Sequence, residues 1–422
     1  MDLIRKFWNF LFSNFMWLYI ISALGNLSGH FIPVLQFFMI VCFVYGAIQF
    51  TRIKRINALD GIVLFYFAYA IVNAVLIDYP NHFRFLVQAF VFQVCPLMCY
   101  FIARNNELDL EYILKKMLVP LTIVMVIGVY CHLVQPAWYS ALKWVSIYEK
   151  YGTGYVNDYS VIEQMRLTSI FNSSYYVAFA TLFFSVYLLY ALSFRALKTR
   201  VKLLYISLLV LSVVVMIFAN HRATLLGFMI AYLFCFVRGK NKAMRGYLVI
   251  GAGVIAVIFI TIMFSSEEYA SYITARFQSV TTQAGIEDRL EHTGGEQNLL
   301  SLFGDGYGHH SLRAREYGSW ALIDSQYQKE LGELGVFGFI LFILMLLITA
   351  LKAIDKRNDA GLELCIFLFF VEAFIGASAL AIDSEYSFIF WYALGKISQK
   401  SSERKRNARL AEANIVLAPV KL

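Results

Sequence analysis

Charge is scarce in this sequence. Asp, Glu, Lys and Arg supply 15% of its 422 residues, too few to solvate the surface of an ordinary soluble domain. The six cysteines (Cys42, Cys95, Cys99, Cys131, Cys235 and Cys365) lie in or beside apolar stretches without metal-ligand spacing. That pattern argues against a disulfide framework and reads as packing. No small-residue cleavage site follows the first apolar stretch, although Arg5 and Lys6 precede it as in a secretion signal, so it reads as a retained first helix. A net charge of +8 divided among short loops gives no concentrated basic surface, and nucleic acid is not an expected partner. No internal repeat marks the inverted halves common in transporters.

What the chain has in excess is hydrophobicity, 60% by residue, with a mean hydropathy of +0.64. About 20 apolar residues cross the hydrocarbon core as a helix. Such stretches fall at roughly 9–26, 31–50, 60–78, 83–103, 113–134, 173–193, 203–219, 223–237, 247–264, 331–351, 361–382 and 386–397. The expected fold is an all-α polytopic membrane protein of about twelve spans, with residues 1–422 forming one integral membrane domain. The eighth and twelfth spans are short enough to be tilted, broken or re-entrant.

With both termini in the cytoplasm, 26 of the 36 Lys and Arg residues fall inside and 10 outside. This bias sets the orientation and supports an even number of helices. It leaves two long outside loops, about 135–172 and 265–329, and a basic cytoplasmic tail, 398–422. The tail carries Arg404, Lys405, Arg406 and Arg409 and reads as a topology signal with weak attraction to anionic lipid.

The ten outside basic residues are Arg84, Lys143, Lys150, Arg166, Arg222, Arg276, Arg289, Arg313, Arg315 and Lys329. Arginine stays charged when partly desolvated and presents a planar fork of donors, which suits phosphate or diphosphate near lipid headgroups. Arg222 follows Ala219-Asn220-His221 in a turn between two apolar helices; Arg166 stands shortly before a span; Arg84 begins the fourth. Each either snorkels to headgroups or binds a lipid-linked diphosphate. Arg313 and Arg315 read as a solvated loop face.

In the large loop, Gly304-Asp305-Gly306-Tyr307-Gly308 allows tight turns and close approach of amides to an anion. It lacks the lysine and Ser/Thr of a nucleotide-binding loop. His309 and His310 follow. Adjacent histidines point in different directions and make a poor metal pair, so one serves as a base or both are structural. Asp324, before Ser325-Gln326-Tyr327, either caps the next helix or activates a sugar hydroxyl as a base. Glu372 falls in the middle of the eleventh span, where a carboxylate is costly and marks either function or a polar partner on a neighbouring helix.

Taken with the topology, Arg166-Leu167-Thr168-Ser169-Ile170-Phe171-Asn172, His221-Arg222-Ala223-Thr224, the glycine run, and Asp324-Ser325-Gln326-Tyr327 followed by Gly332-Glu333-Leu334-Gly335-Val336-Phe337-Gly338 resemble the O-antigen ligase and polymerase superfamily. The resemblance implies a GT-C-like, metal-independent glycosyltransferase of the bacterial inner membrane that needs no cofactor. It implies a donor glycan on undecaprenyl diphosphate, with Arg166 and Arg222 on the diphosphate and the loop that ends at Asp324 over the acceptor; by their own chemistry Arg84 and Arg289 are further diphosphate candidates, and Asp324, His309 or His310 candidates for the base. Where the ligase branch has histidine, this chain has Asp324, which favours a polymerase joining lipid-linked repeat units, with a chain-length regulator as a candidate further partner. Transfer to lipid A-core by a ligase is the close alternative. A flippase would carry charge along a central cavity, and a scaffold would leave the arginine-bearing turns without a role.

Overall fold

The computed structural model describes residues 2–27, 33–76, 83, 87, 90–106, 108–139, 166–171, 174–240, 246, 253, 257, 301–309, 325–354, 361–376, 380 and 386–416, with backbone alone at Asp2, Arg222 and 404–416. Every regular element among these residues is helical.

Several apolar stretches are interrupted where local chemistry competes with the helix. Helix α1 (Asp2–Ser13) meets α2 (Phe15–Leu27) at a 61° bend, inside the stretch expected as the first span. At the bend Asn14 donates its side-chain amide to the Phe10 carbonyl at 2.8 Å, the kind of local bond that disturbs a helix. After α3 (Val34–Phe50), helix α4 (Ala58–Val75) opens with a capping box. Asn57 accepts from the amides of Leu59 and Asp60, and Asp60 accepts from that of Asn57, so the first-turn donors are satisfied.

The fourth expected span begins its described part as a π-helical turn, Phe90–Val94, then passes through Cys95–Leu97 into α5 (Cys99–Asn105). Pro96 lacks the N–H that a continuous helix would need there. Helix α6 (Leu110–Lys116) meets α7 (Leu118–Val134) at 42°, with Pro120 in the first turn of α7. Then follow α8 (Ser174–Phe194), α9 (Thr199–Ala219), α10 (Arg222–Arg238), α11 (Gln326–Ile354), α12 (Gly361–Gly376) and α13 (Ser387–Val416).

Four of these helices, α4, α8, α9 and α11, are long and apolar enough to cross a membrane, and six spans result if each bent pair counts as one. The chain is thus an all-helical membrane protein. The expected span at roughly 247–264 lies outside the described residues apart from Gly253 and Val257. The stretch expected as the short final span falls in the first part of α13, which runs on without interruption into the basic tail for 30 residues in all.

Helix α8 is enclosed by α7, α9, α10 and α12, and α13 runs along α5, α11 and α12. Small residues let the chain close in on Met98–Tyr100. A Cβ on Gly395 would stand 2.3 Å from the Tyr100 carbonyl oxygen, and one on Gly46 2.6 Å from Met98 Cβ. Close backbone approach of this kind is how membrane helices gain packing without a hydrophobic drive between them. Trp8, Phe12, Phe15, Phe38, Phe388 and Tyr392 form an aromatic core.

The bundle has two chemically different ends. At the basic end Arg195 pairs with Glu111, Lys400 with Glu363 at 2.8 Å, and Lys396 Nζ donates to the Asn106 carbonyl at 2.5 Å. At the opposite end, the loop end, Ser325 Oγ donates to the Phe374 carbonyl at 3.0 Å and Tyr386 Oη to that of Tyr176 at 3.1 Å.

Candidate functional site

Helix α11 is broken at the loop end. Gly335 has φ +66° and ψ −173°, a conformation open essentially to glycine. The break strips intrahelical partners from the backbone around it, and inside a membrane protein those groups need substitutes. The glycine run supplies them. The amides of Asp305 and Gly306 donate to the carbonyls of Gly332 (2.8 Å) and Glu333 (2.9 Å), and the amides of Val336 and Phe337 donate to those of Ser301 (3.0 Å) and Leu302 (3.3 Å).

Gly304, Gly306 and Gly308 all have positive φ. A Cβ on Gly304 would lie 2.4 Å from the Glu333 carbonyl oxygen, and one on Gly335 2.5 Å from Gly304 N. The two glycines therefore interlock. The run is a turn, and its amides at Asp305 and Gly306 are occupied by protein rather than offered to an anion.

A second helix reads this junction. Tyr66, Tyr69 and Asn73 lie on one face of α4, at spacings of three and four. Tyr69 Oη donates to the Leu334 carbonyl at 2.9 Å. Asn73 donates to the Phe303 carbonyl at 2.7 Å and accepts from the Tyr307 amide at 2.6 Å. Tyr66 Oη donates to Glu330 Oε2 at 2.8 Å, while Gln326 Nε2 donates to Glu330 Oε1 at 2.7 Å. The buried Tyr307 phenol pairs with that of Tyr66. Burial, with the Glu330 and Glu333 carboxylates nearby, holds it well above its ordinary pKa.

The start of α11 thus presents a buried polar face, Gln326, Lys329, Glu330 and Glu333. Lys329 Nζ stands 3.4 Å from Glu333 Oε1 and makes no hydrogen bond. The sequence reading had ended the loop at Lys329 and begun the span at residue 331. Because the helix starts at Gln326, Lys329 belongs to its buried face, and Ser325 rather than Asp324 directly precedes the first helical residue. The missed signal was helical spacing: positions 326, 329, 330 and 333 share one face, as do 66, 69 and 73 within an apolar span.

Around the arginines, α9 ends at Asn220 with φ 48°, His221 follows, and Arg222 is the first residue of α10. Residues 166–171 are tied to this turn, since the Leu167 amide donates to the Phe218 carbonyl at 3.0 Å. They are anchored further by Tyr139 Oη to Thr168 Oγ1 (2.7 Å), Ser169 Oγ to the Val124 carbonyl (2.7 Å), and Phe171 stacked on Tyr19 at 4.6 Å. The half-buried Arg166 and the backbone of Arg222 accordingly belong to one local assembly at the loop end.

His309 is half-buried, and its amide donates to the Gly306 carbonyl at 3.0 Å. Arg84, Arg289, His310 and Asp324 lie outside the described residues.

Glu372 is buried on α12, and its Oε2 has no hydrogen-bond partner. A Cβ on Gly227 of α10 would come within 3.2 Å of that oxygen. Among the described residues no three His, Cys, Asp or Glu side chains are grouped to hold a metal ion. No family model matches this chain, and no curated protein matches it in sequence.

Proposed function

We propose that this protein is a membrane glycosyltransferase of about twelve spans and GT-C-like architecture. In this reading it polymerises a surface glycan from undecaprenyl-diphosphate-linked repeat units at the outer face of the bacterial inner membrane. The loop end is then periplasmic, and both termini are cytoplasmic.

The observation that supports the reading is that the segments bearing Arg166, Arg222 and His309 share the loop end of an apolar bundle. There the segments bearing Arg166 and Arg222 are joined by the Leu167–Phe218 bond. At the same end, the loop bearing His309 docks on the broken start of α11. Cleaving an anomeric C–O bond to diphosphate leaves negative charge on the leaving group, which the two guanidiniums stabilise electrostatically. The acceptor hydroxyl attacks the anomeric carbon and gives its proton to Asp324, His309 or His310. Holding donor and acceptor in line supplies much of the remaining acceleration.

The test is reconstitution of the purified protein with a lipid-linked repeat unit. Ladders of longer glycan are expected. Transfer to lipid A-core alone would identify a ligase, movement of unaltered lipid across the bilayer a flippase, and no turnover a scaffold. Arg166→Ala and Arg222→Ala should each shorten or abolish the ladders at normal protein abundance, and unchanged ladders in both would overturn the assignment.

A further inference from the structure

A single side chain on α4 brackets the glycine run of the loop. Asn73 uses both ends of its amide on that loop: Nδ2 on the Phe303 carbonyl at 2.7 Å, before Gly304, and Oδ1 on the Tyr307 amide at 2.6 Å, after Gly306. Asn73 is itself buried. A buried asparagine in a membrane span ordinarily bonds to another span. Here the side-chain nitrogen and oxygen both bond to a connecting segment, across 230 residues or more of sequence.

The loop it holds needs such a hold. Gly304, Gly306 and Gly308 all have positive φ, in a stretch whose unfolded alternatives are numerous. It is also attached to backbone freed by the break in α11, to Tyr66 through the Tyr307 phenol, and to Tyr69 Oη through the Phe303 carbonyl at 3.4 Å. Fixing the two flanks of the run therefore fixes the direction in which the chain leaves it, at Tyr307, Gly308 and His309.

We propose that Asn73 is a positioning residue for the glycosyl transfer: by clamping the loop on both sides of its glycine run, it sets where His309 stands relative to the diphosphate-binding arginines. This rests on the polymerase reading. Asn73 touches neither substrate nor reacting atoms; it acts through the loop. The donor lipid is held elsewhere, at Arg166 and Arg222, so loss of the clamp slows turnover while leaving donor binding in place; general unfolding also lowers apparent kcat at constant KM, and hydrogen exchange in a distant helix tells the two apart.

The test uses the full-length protein in lipid nanodiscs, comparing wild type with Asn73→Ala and Asn73→Asp. Backbone hydrogen exchange over 301–309 and 332–337 is measured beside 174–194 as a reference. In parallel, glycan ladders from a lipid-linked repeat unit give kcat and donor KM. Asn73→Ala should speed loop exchange at least tenfold with the reference unchanged, and lower kcat at least tenfold with donor KM within about twofold. Asn73→Asp keeps the acceptor for the Tyr307 amide and loses the donor to Phe303, so it should fall between; it decides the matter if the alanine variant fails to accumulate. Unchanged loop exchange, or faster exchange with unchanged kcat, overturns the positioning role while the polymerase reading stands. A wild-type protein that makes no ladder fails the polymerase reading, and the positioning role falls with it even where the loop is loosened.

Discussion

Buried charge is handled differently at the two ends of the bundle. At the basic end, Asp60 receives both Nε and Nη2 of Arg104 (2.7 and 2.8 Å), Tyr100 Oη (2.5 Å) and the Asn57 amide (2.9 Å). Asn57 in turn accepts from Lys352 Nζ at 2.7 Å and donates to Ser398 Oγ at 2.9 Å. This is a closed network joining α4, α5, α11 and α13.

At the loop end the buried Lys329 Nζ makes no hydrogen bond, and deeper in the bundle Glu372 Oε2 has none either. A fully satisfied polar network rigidifies a fold, whereas one with unmet members costs stability. We read the basic end as a lock, and the unmet groups as features retained for something other than stability.

Four measurements test the contrast between the two ends, in falling order of effect. Asp60→Ala leaves Arg104 buried without its carboxylate and should cost about 3–5 kcal/mol, seen as a lowered unfolding midpoint in detergent. A small shift there would remove the lock.

Gly304→Ala at the loop end introduces a Cβ at a positive φ and against the Glu333 carbonyl. It should cost about 1–3 kcal/mol and lower ladder formation more than tenfold at equal abundance. An active variant would show that the interlock is dispensable.

Glu372→Met should act in the opposite direction, because it removes a buried carboxylate with an unmet oxygen. A gain of about 1–3 kcal/mol is expected, and thermal unfolding showing a loss would mean that the carboxylate contributes to the fold.

The smallest effect belongs to Tyr69→Phe. It leaves the Leu334 carbonyl without its side-chain donor and should cost about 1 kcal/mol, with hydrogen exchange rising locally over 332–337. A rise spread over the whole bundle would contradict the local role assigned to Tyr69.

Much of the architecture was legible because membrane helices announce themselves through continuous apolar stretches. Several interruptions were legible in principle too, through Asn14, Pro96 and Pro120, yet hydropathy averaged over a window conceals them. The candidate site was legible in part. Arg166 and Arg222 drew notice because outside arginines are few, and the glycine run because its period is regular. Glu330 did not, and Lys329 and Glu333 did only as an outside basic residue and as part of a motif, because next to a polar loop they resembled its solvated end. What distinguished them was burial, which depends on helix α11 beginning at Gln326 and on α4 lying against it.

The apolar stretches alone made the chain helical and membrane-bound, since runs of about 20 apolar residues cross a bilayer as helices, whereas a barrel strand is about half as long. The amino-acid sequence by itself also determined which ionisable residues were available for chemistry. Only the tertiary structure decided which of them meet. The pairing of Asp60 with Arg104, the union of the 166–171 segment with the end of α9, and the seating of the glycine run in the break of α11 join residues from 27 to 51 positions apart. Such contacts follow from how helices close on one another, through Gly46 and Gly395 as much as through any polar group, and no local pattern of the chain records that closure.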